Sequence, residues 1–408
     1  LKLQLITTKG ITAPQGFLAS GIHCGLKKNN LKLDLALIYS TVPATAAGVY
    51  TKNKVKGAPI YITKDHLSNK KAQAIIINSG NANTCNGDDG LVKAKRMTEI
   101  QARALKLKTG DVLVASTGVI GIPLNIDAIK NGIPMLTDRL SKDGFNDAAT
   151  AIMTTDTYKK QLSLEFTIDN KKITIGAMAK GSGMIEPNMG TMLSFLTTDL
   201  NISGELLHEA LKESTKISYN RVSVDGDTST NDMMLILANG LANNKTIKEK
   251  DSNYYLFLKA LNKVNIALAK MIAKDGEGAS KLIECIAYNC KSAKDAEILS
   301  KGVINSPLVK TAMFGSDANW GRILCALGYS GVNIDPNKID LTFESSVDKI
   351  DVCKSGMGLS FDEVKAKEIL LQDEITIHIN MNDGNFSSTA WGCDLSYDYV
   401  KINGDYRS

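Results

Sequence analysis

The densest run of reactive and flexible residues in the chain is Met178-Ala179-Lys180-Gly181-Ser182-Gly183-Met184-Ile185-Glu186-Pro187-Asn188-Met189-Gly190-Thr191-Met192-Leu193. A glycine-punctuated stretch there leads into an apolar segment that begins with a hydroxyl. Threonine is a nucleophile only when a base activates it. Histidine is the usual base, and the chain has four, His23, His66, His208 and His378, none three or four residues from another. The bond Gly190–Thr191 offers a different base. If Thr191 Oγ attacks the Gly190 carbonyl, the peptide becomes an ester that water then hydrolyses. The new chain end is a free α-amine with a reference pKa of about 7.7–8.0, carried on the same residue as the hydroxyl. Gly190 has no Cβ, so the backbone before the bond can enter strained conformations. The competing reading of Thr191 is a helix N-cap.

Other loops are richer in small polar residues than a turn requires. Asn78-Ser79-Gly80-Asn81-Ala82-Asn83-Thr84 follows the apolar run Ala74–Ile77. Ser116-Thr117-Gly118-Val119-Ile120-Gly121 follows Asp111–Ala115. Asp225-Gly226-Asp227-Thr228-Ser229-Thr230-Asn231-Asp232 precedes Met233–Ala238. Small residues let a backbone approach a ligand, and exposed N–H groups hold negative charge. Each loop alone reads as an ordinary turn. Several of them at strand ends point to a site, because open α/β sheets place sites there. None is a GxxxxGK[ST], GxGxxG or GxSxG motif, so nucleotide-dependent and α/β-hydrolase chemistry gain no support.

The elements that must position these loops alternate. Strand-like runs rich in Ile, Val and Leu lie at Leu33–Tyr39, Ala74–Ile77, Asp111–Ala115, Lys172–Ala177, Met233–Ala238, Ile339–Phe343 and Glu374–Ile379. Helical patterns lie at Leu91–Lys106, Glu205–Lys216 and Tyr254–Lys274. In the last of these Phe257, Leu261, Val264, Leu268 and Met271 share a face. It ends in a basic turn and a glycine stop at Gly276. The alternation predicts a layered α/β fold.

Composition narrows the class. The 408 residues are 43% apolar and 22% charged, with 48 basic and 43 acidic side chains giving a net charge of +5. These are globular proportions, and the length suggests about two to three domains. No apolar stretch approaches the roughly 18 residues of a spanning helix. Clusters such as Lys27-Lys28 and Lys70-Lys71 are short, lack aromatics, and read as solvated surface rather than a nucleic-acid stripe. Seven scattered cysteines without a CxxC argue against zinc and for reduced thiols in a cytosol-like compartment. Leu1 to Gly10 lacks a signal-peptide pattern. A chain opening on leucine is what removal of an upstream segment would leave.

With these residues in view, the chain resembles the arginine-biosynthesis ornithine acetyltransferase family, also called glutamate N-acetyltransferase or ArgJ. The likeness runs over nearly the whole length. It is carried by Gly16-Phe17, Gly21-Ile22-His23-Cys24-Gly25, Gly48-Val49-Tyr50-Thr51, the Asn78–Thr84 and Ser116–Gly121 runs, and Thr154-Thr155-Asp156-Thr157. It continues through Lys180–Leu193, Ser223–Asp232, Asp275-Gly276-Glu277-Gly278-Ala279, Lys310-Thr311-Ala312, Asp317–Arg322 and Ala390-Trp391-Gly392-Cys393-Asp394 to Ser408.

The resemblance implies acetyl transfer from N-acetylornithine to glutamate by a ping-pong route, with acetyl-CoA as an open second donor. It implies Thr191 as nucleophile and new N-terminus with its α-amine as base, and Thr117 and Gly118 as oxyanion hole. Substrate contacts fall on Thr154, Lys180, Thr191, Glu277, Asn403 and Ser408. Lys180 would meet the α-carboxylate and Glu277 the ornithine ammonium. No cofactor or metal is implied. The family has Ala before the cut where this chain has Gly190, and a terminal Thr where it has Ser408. The implied fold is a layered α/β sandwich related to self-cleaving aminopeptidases, with a smaller C-terminal α/β domain. Cleavage would give chains 1–190 and 191–408, assembled as a dimer of the cleaved pair. In space, 1–280 with the tail 396–408 would form the catalytic domain and 281–395 the smaller one. Two alternatives stay open: an N-terminal-nucleophile aminopeptidase or amidase, and a non-catalytic small-molecule binding protein.

Overall fold

The computed structural model describes residues 3–186 and 192–405. Gly190, Thr191 and Ser408 therefore lie outside the described residues. The chain divides into two compact units. The first comprises Leu1–Gly181, Pro187–Asn220 and Thr228–Leu268; the second comprises Ser182–Glu186, Arg221–Asp227 and Ala269–Ser408. This division differs from the expected spatial boundary, since residues 269–280 and the tail fall in the second unit. The reason lies in that unit's own bonding. Ser396 Oγ donates to the Gly278 carbonyl at 2.5 Å, and Asp394 accepts from the Ser280 and Lys281 N–H groups at 2.8 and 2.9 Å.

Among the described residues the first unit holds a nine-stranded mixed sheet. Its order is Gln4–Ile6, Lys160–Ile168, Lys171–Lys180, Leu193–Thr198, Met233–Ala238, Leu35–Tyr50, Lys71–Asn81 and Val112–Val119, with Phe17–Ile22 also paired to Leu35–Tyr50. Leu193–Thr198 runs parallel to Met233–Ala238, and Lys71–Asn81 runs parallel to Val112–Val119. The central strands are apolar without a break because both their faces are buried. Leu35, Leu37, Ala74, Ile76, Val112 and Val114 belong to one core cluster. Their alternating neighbours Ala36, Ile38, Ile75, Ile77, Leu113 and Ala115 belong to another. Side chains alternate across a pleated strand, so one apolar run feeds two layers.

Helices Gly87–Leu105 and Ile126–Asp138 cover one face, contributing Ala94, Met97, Ile129 and Ile133 to the first cluster. Helix Gly204–Ile217 starts where Ser203 accepts from the Leu206 N–H. Helix Ser252–Lys274 buries Phe257, Leu261, Val264 and Leu268 as its spacing predicted. It stops without a left-handed Gly276; the positive φ, +70°, falls at Gly278.

The second unit has a seven-stranded sheet among the described residues. Its order is Met357–Gly358, Lys349–Lys354, Asp340–Glu344, Glu374–Asn380, Leu282–Cys290, Phe386–Cys393 and Val222–Ser223. Ile283, Cys285, Ile377 and Ile379 meet Leu299 and Val303 of helix Ala293–Asn305 in its core. Both units are thus mixed α/β. No helix among the described residues is long and apolar enough to cross a membrane.

Candidate active site

In the first unit two of the small-residue runs are not wholly loops. The strands continue to Asn81 and Val119, so Asn78–Asn81 and Ser116–Val119 lie on the sheet. The ladder breaks there, where Asn81 faces both Thr117 and Val119. Gly118 has φ +132°, and a Cβ on it would stand 2.4 Å from the Gly80 carbonyl carbon. No other residue fits that position. The Thr117 hydroxyl beside it is half-buried and has no hydrogen-bond partner among the described residues.

A broken ladder leaves backbone groups to be satisfied by side chains, and here amides and hydroxyls do it. Ser116 Oγ donates to Asn78 Oδ1 at 2.5 Å, and Asn78 Nδ2 donates to the Asn81 carbonyl at 2.9 Å. Asn231 clamps three segments. Its Nδ2 donates to the Ala82 and Ser116 carbonyls at 2.5 and 3.0 Å. Its Oδ1 accepts from Thr84 and Thr230 hydroxyls at 2.5 and 2.6 Å. The polar character of these runs is therefore structural, and it fixes the turn carrying Thr117 and Gly118.

A second cluster of the same unit centres on Asp156, whose carboxylate is fully buried. It accepts from Lys160 Nζ at 2.7 Å, the Thr154 N–H at 3.0 Å and the Gly181 N–H at 2.8 Å. Lys180 Nζ donates to Thr154 Oγ1 at 2.7 Å and stands 3.9 Å from Asp156 Oδ2. Burial alone would push the Asp156 carboxyl up. The charges of Lys180 and Lys160, the Lys160 hydrogen bond and the Thr154 N–H overcome it and hold the acid below the usual carboxylate range. One carboxylate thus sets Thr154 and Lys180 together. Two ammonium groups approach it, Lys160 closely and Lys180 at longer range.

Lys27 belongs with this cluster rather than with the solvated surface its sequence suggested. Its Nζ donates to the Leu33 and Met153 carbonyls at 2.7 and 2.8 Å.

In the second unit Glu277 is buried, 7% exposed. Asn403 Nδ2 donates to its Oε2 at 2.8 Å, and the Glu277 N–H donates to the Ser182 carbonyl at 3.0 Å. A Cβ on Gly183 would lie 2.3 Å from the carboxylate carbon, so the segment 182–183 lies against it only because it is small. Among the described residues this carboxylate has no cationic partner. Burying a carboxylate is costly unless it is paired or hydrogen-bonded. Asp225 holds the neighbouring arm: it accepts from the Met184 and Ile185 N–H groups at 2.7 Å each and from Tyr399 OH at 3.3 Å. Burial pushes its carboxyl above the usual range.

The expected residues among those described therefore fall in three pairs. Thr117 and Gly118 share one turn, Thr154 and Lys180 share one carboxylate, and Glu277 and Asn403 are bonded to each other. Gly190, Thr191 and Ser408 are outside the described residues. The segment beyond Thr191 is the strand Leu193–Thr198, so no helix follows for Thr191 to cap. Among the described residues no three metal-ligating side chains gather. Sequence reading missed Asp156, Lys160, Asn231, Asp225 and Lys27 as organisers. The local trace was that Asp156, Asp225 and Asn231 sit inside runs already singled out.

Comparison with known proteins follows the same residues. A model of the ArgJ family matches residues 18–408. Arginine biosynthesis bifunctional protein ArgJ 1 of Clostridium acetobutylicum is 55% identical over 406 residues, covering 100% of this chain and 99% of that protein. Arginine biosynthesis bifunctional protein ArgJ of Caldanaerobacter subterraneus subsp. tengcongensis is 51% identical over 398 residues, 98% of each. The crystal structure of Arginine biosynthesis bifunctional protein argJ from Bacillus halodurans is 45% identical with a TM-score of 0.50. It covers 52% of this chain and 99% of that one.

Proposed function

The chain belongs to the ArgJ family and is an ornithine acetyltransferase of arginine biosynthesis, and from that premise we propose that it cuts itself at Gly190–Thr191 and carries the acetyl group on Thr191. In the precursor, Thr191 Oγ displaces the Thr191 nitrogen from the Gly190 carbonyl. Water hydrolyses the ester, releasing the Gly190 carboxylate and a free Thr191 α-amine. In turnover that amine takes the Oγ proton as Oγ attacks the acetyl carbonyl of N-acetylornithine. The Thr117 hydroxyl and Gly118 N–H receive the oxyanion. Collapse returns the proton to the departing ornithine nitrogen and leaves acetyl-Thr191. The glutamate amine attacks that ester, and the steps run in reverse to N-acetylglutamate. The base is the chain's own end, so the route calls on no cofactor. Lys180 and Thr154 take the α-carboxylate, Glu277 and Asn403 the ornithine ammonium, and Ser408 is the remaining substrate contact of the proposal.

The observation that carries this reading is the break at Thr117–Gly118, where a hydroxyl stays unpartnered beside a glycine no other residue can replace. The curated relatives are called bifunctional. For this chain the second activity we propose is acetyl-CoA as an alternative donor to the same Thr191. A dimer of the cleaved pair is the assembly proposed.

Two variants check the roles. Thr117→Val removes one oxyanion donor and is expected to lower kcat by about 10²–10³ with KM little changed. Glu277→Gln removes the charge that meets the ammonium. A hydrogen bond to a charged group contributes roughly 1.5–3 kcal/mol, so the KM for N-acetylornithine should rise about 10- to 100-fold while that for glutamate does not. The transferase reading is tested by following ornithine release from N-acetylornithine with and without glutamate. Glutamate should accelerate release and appear as N-acetylglutamate. Equal release into water without an amine acceptor would make the protein an amidase instead.

A further inference from the structure

The proposed reaction poses a charge problem at one acyl-threonine. Both substrates carry an α-carboxylate, which Lys180 and Thr154 can take. Their side chains differ in sign: ornithine ends in an ammonium, glutamate in a second carboxylate. Glu277 suits the first and repels the second. Some cation must serve the acceptor's side chain.

The structure offers one in the first unit. The loop Cys24–Lys27 is fixed by the fully buried Asp34, which accepts from the Cys24, Leu26 and Lys27 N–H groups at 2.7, 2.8 and 3.0 Å and pairs with His23 Nδ1 at 3.1 Å. The Lys27 stem runs against the oxyanion turn, its Cγ 3.2 Å from where a Gly80 Cβ would stand. Gly80 is the register partner of Gly118. The ammonium then reaches the Met153 carbonyl at 2.8 Å. That carbonyl belongs to the same peptide group as the Thr154 N–H, which donates to Asp156. Lys27 therefore bridges the Thr117–Gly118 turn and the Thr154–Lys180 cluster. An ammonium has three donors. Leu33 and Met153 take two, and the third has no partner among the described residues.

We propose that Lys27 is the acceptor-specificity residue, pairing its remaining N–H with the γ-carboxylate of glutamate. The inference rests on the transferase reading above. The Asp156 carboxylate is engaged by Lys160 at 2.7 Å and does not accept from Lys27. Burial lowers the Lys27 ammonium to about 8; Asp34 opposes this, Lys32 and Lys180 add to it, and Asp156 opposes it. A cation held so close to neutrality gains from one more anion.

The test uses the self-processed protein and separates the half-reactions. Lys27→Gln keeps amide donors for the two carbonyls and removes the charge; Lys27→Met removes both. Acetyl loading of the 191–408 chain by N-acetylornithine is followed by intact mass, and its removal is then followed against glutamate and, separately, glutamine. For Lys27→Gln the glutamate concentration for half-maximal removal should rise about tenfold or more, while loading changes far less. The wild-type preference for glutamate over glutamine should shrink by a similar factor. Equal loss in both half-reactions, or an intact glutamate preference in either variant, overturns the proposal. If the wild type loads no acetyl or passes none to glutamate, the transferase reading itself fails.

Discussion

Thr191→Ala is expected to leave one uncut chain of 43.9 kDa with no acetyl transfer at all. The substitution removes Oγ, which is both the group that cuts the Gly190–Thr191 bond and the group that holds the acetyl. Without the cut there is no free α-amine, so base and nucleophile vanish together. Losses of groups that act as one unit do not add, and a single deletion takes nearly the whole effect. Thr191→Ser keeps the hydroxyl and should still cleave. Retained cleavage in Thr191→Ala, seen as two chains by mass, would refute the assignment of the nucleophile.

Asp156→Asn should be the most damaging change away from Thr191. Lys160 is wholly buried and its Nζ sits 2.7 Å from the Asp156 carboxylate. Breaking a buried pair by removing one partner costs about 3–5 kcal/mol. The variant also loosens the Thr154 and Gly181 N–H groups that the carboxylate holds. A lower Tm and a large rise in KM for both substrates are expected together. The double variant Asp156→Asn/Lys160→Met removes both charges of the pair. It should recover much of the Tm but not the KM, because Lys180 and Thr154 still lack their anchor. Full recovery of KM would show that Asp156 serves stability alone. The pH dependence has a definite sign. The folded acid lies below its unfolded value of about 3.9, so its stabilisation is complete above that pH and is lost only as pH falls through the lower folded value. The wild type should lose this contribution only in strong acid.

Much of the fold is legible in the sequence because buried strands write themselves as short apolar runs. Met233–Ala238 is found where the run predicts it, and Glu374–Asn380 differs by one residue. The polar run after Ala74–Ile77 is harder. Read alone it is a turn, yet its first residues stay in the ladder because Asn and Ser side chains satisfy the backbone where the register slips. What turns that run into a site is Asn231, which donates to the Ala82 carbonyl from 149 residues away, and no local pattern carries such a pairing. Lys27 is the same case. Beside Lys28 it looks like solvated charge, and only the fold brings the Met153 carbonyl, 126 residues on, against its ammonium. Glu277 and Asn403 are equally distant partners, named beforehand only through family likeness. Chemistry that depends on one bond, Gly190–Thr191, could be argued from residue types; the shell that positions it could not.

The central claim, that an acetyl group rides on the Thr191 end of a self-cut chain, is tested most directly by one intact-mass measurement. Purified protein is mixed with N-acetylornithine alone and then with glutamate. Two chains should appear, 1–190 and 191–408, with one acetyl group on the second at Thr191 that disappears when glutamate is added. A single uncut chain that transfers acetyl, or turnover in which the 191–408 chain never gains an acetyl group, would contradict it.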